Sequence, residues 1–184
     1  MKKVVAFIGS PRKNGNTSTL VEEMAKGAKA AGSGVKIYRL HDMNIKPCQS
    51  CFYCRGVENC AIKDDMQAVY EDIKQAGAVI IGSPVYMFQV TAQTKLLLDR
   101  LFPLMDANFN PRFGTKKTVM VYAQGNPDPD AFKASFEANA TVLKIMGLNV
   151  VDTIITASAN DPQTSCSNAD LMAKAFQTGK ALVE

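Results

Sequence analysis

Short unbroken apolar runs alternate with amphipathic stretches along this chain. Lys3 to Ile8 and Ala78 to Ile81 are continuous apolar segments, the pattern of strands buried on both faces. Val119 to Ala123 and Val150 to Ile155 repeat it, whereas Val35, Ile37 and Tyr38 sit among Lys36 and Arg39, as in an exposed edge strand. Apolar residues recur at helical spacing in between. Leu20, Met24, Gly27, Ala28 and Ala31 make one face, and Met66, Val69, Tyr70 and Ile73 another, opened by a capping pattern with Asp64 three residues before Gln67. Phe132, Phe136, Ala140, Leu143 and Gly147 form a later face, and Leu171, Ala175 and Leu182 the last. Five β/α units in alternation predict an α/β fold: a doubly wound, five-stranded parallel sheet of order 2-1-3-4-5 with helices on both faces. No linker or internal repeat divides residues 1–184, so a single domain is expected. Two loops exceed what such a fold needs, 47–63 and 104–116.

Composition narrows the function classes. The chain has 47% apolar and 21% charged residues and a net charge of +4, ordinary for a globular domain. Its lysines and arginines are scattered, without a basic stripe interleaved with aromatics, so no nucleic-acid partner is expected. The opening MKKVVAFIGS resembles a signal peptide only until Ile8, where the apolar run stops with no small-residue cleavage site, and a first strand is the better reading. No stretch approaches the ~20 apolar residues of a membrane span. A cytoplasmic protein is therefore expected, and in a reducing compartment clustered cysteines favour metal over disulfides.

The cysteines are clustered. Cys48, Cys51, Cys54 and Cys60 follow the spacing C-x2-C-x2-C-x5-C inside loop 47–63. Two overlapping C-x2-C steps turn successive sulfurs toward one point, as a [4Fe–4S] cluster requires, and the fourth cysteine is local. Structural zinc sites more often use two separated pairs. Zinc and free redox thiols remain the alternatives. Lys46, Arg55 and Lys63 flank the thiols and offset their charge in this reading; Cys166, far along the chain, is read as an unligated thiol.

A second locus follows the first strand. Gly9-Ser10-Pro11-Arg12-Lys13-Asn14-Gly15-Asn16-Thr17-Ser18 leads directly into a helix. Backbone N–H groups at a helix N-terminus, hydroxyls and a cation suit a phosphate. The segment has neither G-x-x-x-x-G-K-[ST] nor G-x-G-x-x-G, which points to a terminal phosphomonoester in place of Walker or dinucleotide chemistry. Strand three is expected to end at Gly82 and open into a loop, Ser83-Pro84-Val85-Tyr86-Met87-Phe88-Gln89, at the same sheet edge. Ala123-Gln124-Gly125-Asn126-Pro127 makes a third loop there. Phosphate loop, aromatic wall and polar backbone together suggest a flavin mononucleotide pocket.

Four segments then carry a family resemblance: GSPRKNGNTS, the cysteine loop ending in KDDM, IGSPVYMFQVTAQTK with LLLDR, and AQGN. Over residues 1 to about 155 the chain resembles the NADPH-dependent FMN reductase superfamily of flavodoxin-like proteins, and in its cysteine spacing the iron–sulfur flavoproteins. The resemblance implies FMN, with its phosphate on Ser10, Arg12, Asn16, Thr17 and Ser18. It places Ser83, Pro84, Val85, Tyr86, Phe88, Gln124 and Gly125 around the ring and ribityl chain, and a [4Fe–4S] cluster on Cys48, Cys51, Cys54 and Cys60. It also implies a homodimer or homotetramer in which a cluster can face a neighbouring subunit's flavin. Ser50 stands where relatives often carry glycine.

The activity this suggests is electron transfer between a reduced donor, ferredoxin or NAD(P)H, and a small acceptor. The alternatives are an NAD(P)H-dependent FMN, quinone or azo reductase without a cluster, and a flavodoxin-like electron carrier. His41 is the only histidine, which leaves little material for a hydrolytic triad. The apolar loop from Leu104 to Phe113 is expected to join an oligomer interface.

Overall fold

The computed structural model describes residues 3–184. Its strands are β1 (Lys3–Ile8), β2 (Val35–Arg39), β3 (Ala76–Tyr86), β4 (Gln89–Val90), β5 (Lys116–Ala123) and β6 (Leu148–Thr156). The helices are α1 (Asn16–Ala30), α2 (Tyr53–Gly56), α3 (Met66–Gln75), α4 (Ala92–Arg100), α5 (Lys133–Ile145) and α6 (Ala169–Ala181). The long strands are all parallel and run β2-β1-β3-β5-β6. Because β4 is only a two-residue hairpin partner of β3, this is the expected 2-1-3-4-5 order.

Two apolar layers sandwich the sheet, because side chains alternate across each strand. Val5, Phe7, Val79 and Ile81 face α3, α4 and α5, while Val4, Ala6, Ile8, Ala78 and Ile80 face α1 and α6. Helices α1 and α6 approach unusually closely. A Cβ on Gly27 would lie 2.0 Å from the Phe176 carbonyl oxygen, and one on Gly179 would lie 2.0 Å from that of Met24.

Three expectations change. Strand β3 does not end at Gly82. Residues Gly82 to Pro84 continue pairing with Val121 to Ala123, and the strand turns back through Met87 and Phe88 onto β4. The segment read as a loop is thus a strand extension with a two-residue hairpin, whose turn residues both have positive φ, +45° and +67°. Helix α3 begins at Met66 with no side-chain cap. The Asp64 carboxylate accepts a bond from the Met66 amide but is mainly engaged by Arg100, and Gln67 turns its amide to the Cys60 and Ile62 carbonyls. Last, loop 104–113 buries part of its apolar content, Leu104 and Met105, in the chain itself.

Candidate functional site

The chain after β1 bends so that Ser10 Oγ accepts from the Arg12 amide and Ser18 Oγ donates to the Arg12 carbonyl. Helix α1 then starts from Gly15, which has no side chain to cap it. The first helical bond runs from Thr19 to Gly15, so the amides of Asn16, Thr17 and Ser18 have no intrahelical partner and suit an anion. A pocket of about 160 Å³ opens over them, lined by Ser10, Arg12, Gly15, Asn16 and Thr17 on one side. Pro84, Val85 and Tyr86 form the opposite wall, with Ala123, Gly125, Ala159 and Asn160 below.

Most of the expected contact residues meet here, but four do not line the pocket. Ser18 is fully buried and closes its own loop. Ser83 is also buried, with its hydroxyl donating to the Pro84 carbonyl and accepting from the Thr91 amide. Phe88 lies at the hairpin tip, 71% exposed, with its edge against Phe132 at 5.4 Å. Gln124 is buried; its Nε2 donates to the Asp128 carbonyl at 2.6 Å, and its Oε1 is a buried acceptor without a partner among the described residues.

Asn16 lines the pocket yet spends its side chain elsewhere. Its Nδ2 donates to the Ala159 and Asp161 carbonyls, and its Oδ1 accepts from the Ser165 amide. It offers a phosphate its backbone amide only. These bonds pull in the loop after β6, which sequence reading left out of the site. The signal was present: Ala157 to Asp161 is a polar stretch at the carboxyl end of a strand, where this fold binds ligands.

The four cysteines share a second pocket of about 70 Å³, lined also by Gln49, Ser50, Phe52, Ala61, Ile62 and Phe102. Cys48 and Cys51 are exposed, Cys54 is half-buried and Cys60 is buried. Burial pushes the Cys54 thiol up, and the Cys60, Cys48 and Cys51 thiols add to the shift. Among the described residues no three His, Cys, Asp or Glu side chains converge on a common metal position. The donor set fits a thiophilic metal in kind and location, with the exposed thiols not yet turned to a shared centre. Ser50 and Phe52 both have positive φ, +52° and +56°, a backbone region that favours glycine.

Arginines hold this loop from outside. Arg112 donates to the Cys54 and Arg55 carbonyls, and Arg55 donates to the Ala107 carbonyl while lying over the Phe52 and Phe109 rings. Arg100 reaches the Lys46 carbonyl and forms a two-pronged ion pair with Asp64, both side chains being almost fully buried. Burial opposes ionisation of Asp64, yet the Arg100 hydrogen bonds and the Lys46 and Met66 amides hold it below the ordinary carboxylate range. The two pockets share no lining residue. His41 and Cys166 are exposed and line neither pocket.

The structure thus combines a flavodoxin-like α/β fold with an anion-suited pocket at the carboxyl edge of its sheet. The family model for NADPH-dependent FMN reductase matches residues 2–163, and the chain belongs to that family of flavin-dependent oxidoreductases. It is 32% identical over 160 residues to an iron–sulfur flavoprotein of Methanocaldococcus jannaschii, covering 87% of this chain and 78% of that one. The chain spans about half the length of further curated iron–sulfur flavoproteins that it matches. Among solved structures, an NAD(P)H:quinone oxidoreductase from Methanothermobacter marburgensis superposes with a TM-score of 0.75 at 16% identity, over 98% of each chain. An archaeal flavodoxin superposes with a TM-score of 0.59 at 14% identity, covering 99% of this chain and 96% of that one. These two likenesses concern the fold. No helix among the described residues is long and apolar enough to cross a membrane.

Proposed function

We propose that this protein is an iron–sulfur flavoprotein, passing electrons from ferredoxin or NAD(P)H to a small acceptor through FMN and a [4Fe–4S] cluster on Cys48, Cys51, Cys54 and Cys60. The observation that carries the cluster is that all four thiols line one pocket whose remaining walls include Ile62 and Phe102. The shared name of several curated relatives supports it. FMN exchanges electrons singly or in pairs and a cluster exchanges them singly, so the bound groups supply the redox chemistry.

The chain's work is then binding, orientation and exclusion of water. The free amides of Asn16 to Ser18 and the Arg12 guanidinium hold the phosphate, while Pro84, Val85 and Tyr86 wall the ring. The buried Gln124 Oε1, lacking a donor among the described residues, is placed in a loop next to Gly125 of that pocket. In this reading the chain forms a homo-oligomer in which a cluster can face a neighbouring subunit's flavin. Exposed Phe52, Tyr53, Phe109, Met87 and Phe88 supply apolar surface for that assembly.

Anaerobic purification followed by iron, sulfide and FMN assay per chain tests the reading. One FMN and four irons per chain are expected; stoichiometric FMN with no iron after anaerobic reconstitution removes the cluster. A second reading, NAD(P)H-dependent quinone reduction with unligated thiols, is favoured by the lack of a converged thiol set. Flavin bleaching by NAD(P)H at the wild-type rate in a quadruple Cys→Ser variant selects it.

A further inference from the structure

Arg100 is the largest fully buried side chain among the described residues, at 1% exposure. An arginine is buried only where its donors are met. Here Nη1 donates to the Lys46 carbonyl at 2.7 Å and to Asp64 Oδ2 at 2.6 Å, and Nη2 donates to Asp64 Oδ1 at 3.0 Å. Nε has no hydrogen-bond partner among the described residues. The two residues it grips bracket the cysteine loop, since Lys46 lies two positions before Cys48 and Asp64 four positions after Cys60. Lys46 also donates its amide to Asp64 at 2.9 Å, closing the ring.

Cys60 is the one buried thiol of the four. Tyr70 donates its hydroxyl to the Arg100 carbonyl at 2.7 Å and packs in the same core cluster as Cys60. Burial works against the Arg100 charge, but the Asp64 hydrogen bond, then the Tyr70 hydroxyl and the Cys60 thiol, more than offset it. The guanidinium is buried and holds both ends of the loop that carries Cys60.

We infer that Arg100 is a positioning residue for the thiolate site, fixing both ends of the cysteine loop and offering its free Nε–H and positive charge to the Cys60 sulfur when that sulfur ligates metal. This rests on the reading of the four cysteines as a metal site. A ligand sulfur that accepts a hydrogen bond and faces a buried cation carries less uncompensated charge, which strengthens metal binding and favours the reduced state of a bound cluster. Asp64 cancels part of the charge and leaves the N–H intact.

The test uses the full chain with FMN and compares wild type with Arg100→Lys and with Arg100→Gln/Asp64→Asn. The double variant avoids leaving a lone buried carboxylate, and FMN content reports folding. Cd2+ is titrated at fixed pH into the iron-free protein and followed by the thiolate-to-cadmium absorption band. Both variants are expected to bind Cd2+ more weakly, the double variant by about 10–100-fold, as for loss of an outer-shell partner. In reconstituted protein the cluster midpoint potential falls, a tenfold change in the reduction equilibrium being ~59 mV for one electron. If either folded variant matches wild type in Cd2+ affinity, the inference is overturned, and Arg100 is a structural staple only. Wild-type protein that takes up Cd2+ but no iron ends the cluster reading, while the cadmium comparison still decides the role of Arg100. Wild-type protein that binds no Cd2+ overturns both.

Discussion

The hairpin between β3 and β4 carries a strain that the chain could avoid. Its two turn residues, Met87 and Phe88, have φ of +45° and +67°, the left-handed region that two-residue hairpins require and that Asn-Gly fills most readily. A non-glycine residue there costs ~1 kcal/mol, so the pair costs about 2 kcal/mol together. Little offsets it in the isolated chain, because Met87 is 90% and Phe88 71% exposed. The edge contact between Phe88 and Phe132, at 5.4 Å, returns ~1 kcal/mol. Replacing the pair by Asn-Gly therefore stabilises the FMN-free protein by about 1 kcal/mol, or ~2–4 °C in Tm for a chain of this size.

If the exposed side chains are kept to cover the flavin or a neighbouring subunit, the same variant loses function. FMN affinity, read by quenching of flavin fluorescence, is expected to weaken about tenfold, equivalent to ~1.4 kcal/mol. Calorimetry of the FMN-free protein and the fluorescence titration together form the assay. An unchanged or lower Tm refutes the strain argument. A raised Tm with unchanged FMN affinity and unchanged oligomeric state refutes the idea that the tip is retained for function.

Other outcomes follow from single side chains. Asn16→Ala strips three hydrogen bonds from a buried site and should lower stability by about 3 kcal/mol; an unaltered Tm in FMN-free protein means that Asn16 serves the phosphate and not the loop after β6. Ser50→Gly relieves a φ of +52° in the cysteine loop and should raise stability by up to ~1 kcal/mol, with tighter Cd2+ binding; a weaker site tells against strain at that position. Asp64 has its folded-state ionisation depressed, because the Arg100 and backbone hydrogen bonds outweigh the opposing effect of burial. Its stabilisation is therefore fully present above the unfolded carboxylate value near ~4 and is lost as pH falls through the lower folded value. Asp64→Asn should cost about 3–5 kcal/mol at neutral pH, and urea unfolding should show the gap to wild type narrowing below about pH 4; a gap that widens there contradicts the assignment.

How far the sequence discloses the site depends on what decides each contact. The apolar runs at Lys3–Ile8 and Val119–Ala123 can only be strands covered on both sides, so sheet order and the sheet edge carrying the pocket were legible. The strand–turn–helix that lines the first pocket was legible too, because a strand, a Ser/Thr/Asn-rich turn and a helix are contiguous in the chain. Which polar side chains face the ligand was not. Asn16, Ser18, Ser83 and Gln124 lie in the right segments, but all four are buried and bond to backbone groups of the chain, in part from segments as distant as the loop after β6. Arg100 belongs to the same class. It lies among Leu97, Leu98 and Leu101, all buried, and a charge inside an apolar stretch announces a buried partner without naming it. Asp64 is that partner, and the same carboxylate, read along the chain, looks like a helix cap.

The cysteine loop shows why the pairing matters. Apart from the four-residue α2 it has no helix or strand of its own, so little within it can fix the sulfurs. Instead, Arg100 captures its two ends and Arg112 captures the Cys54 and Arg55 carbonyls in its middle. Guanidinium groups suit this task because one fork can satisfy several oxygens at once. The result is a backbone held near Cys54 and Cys60, while Cys48 and Cys51 stay exposed. The arginines thus hold the backbone of the cysteine loop from outside it, at Lys46, Cys54, Arg55 and Asp64.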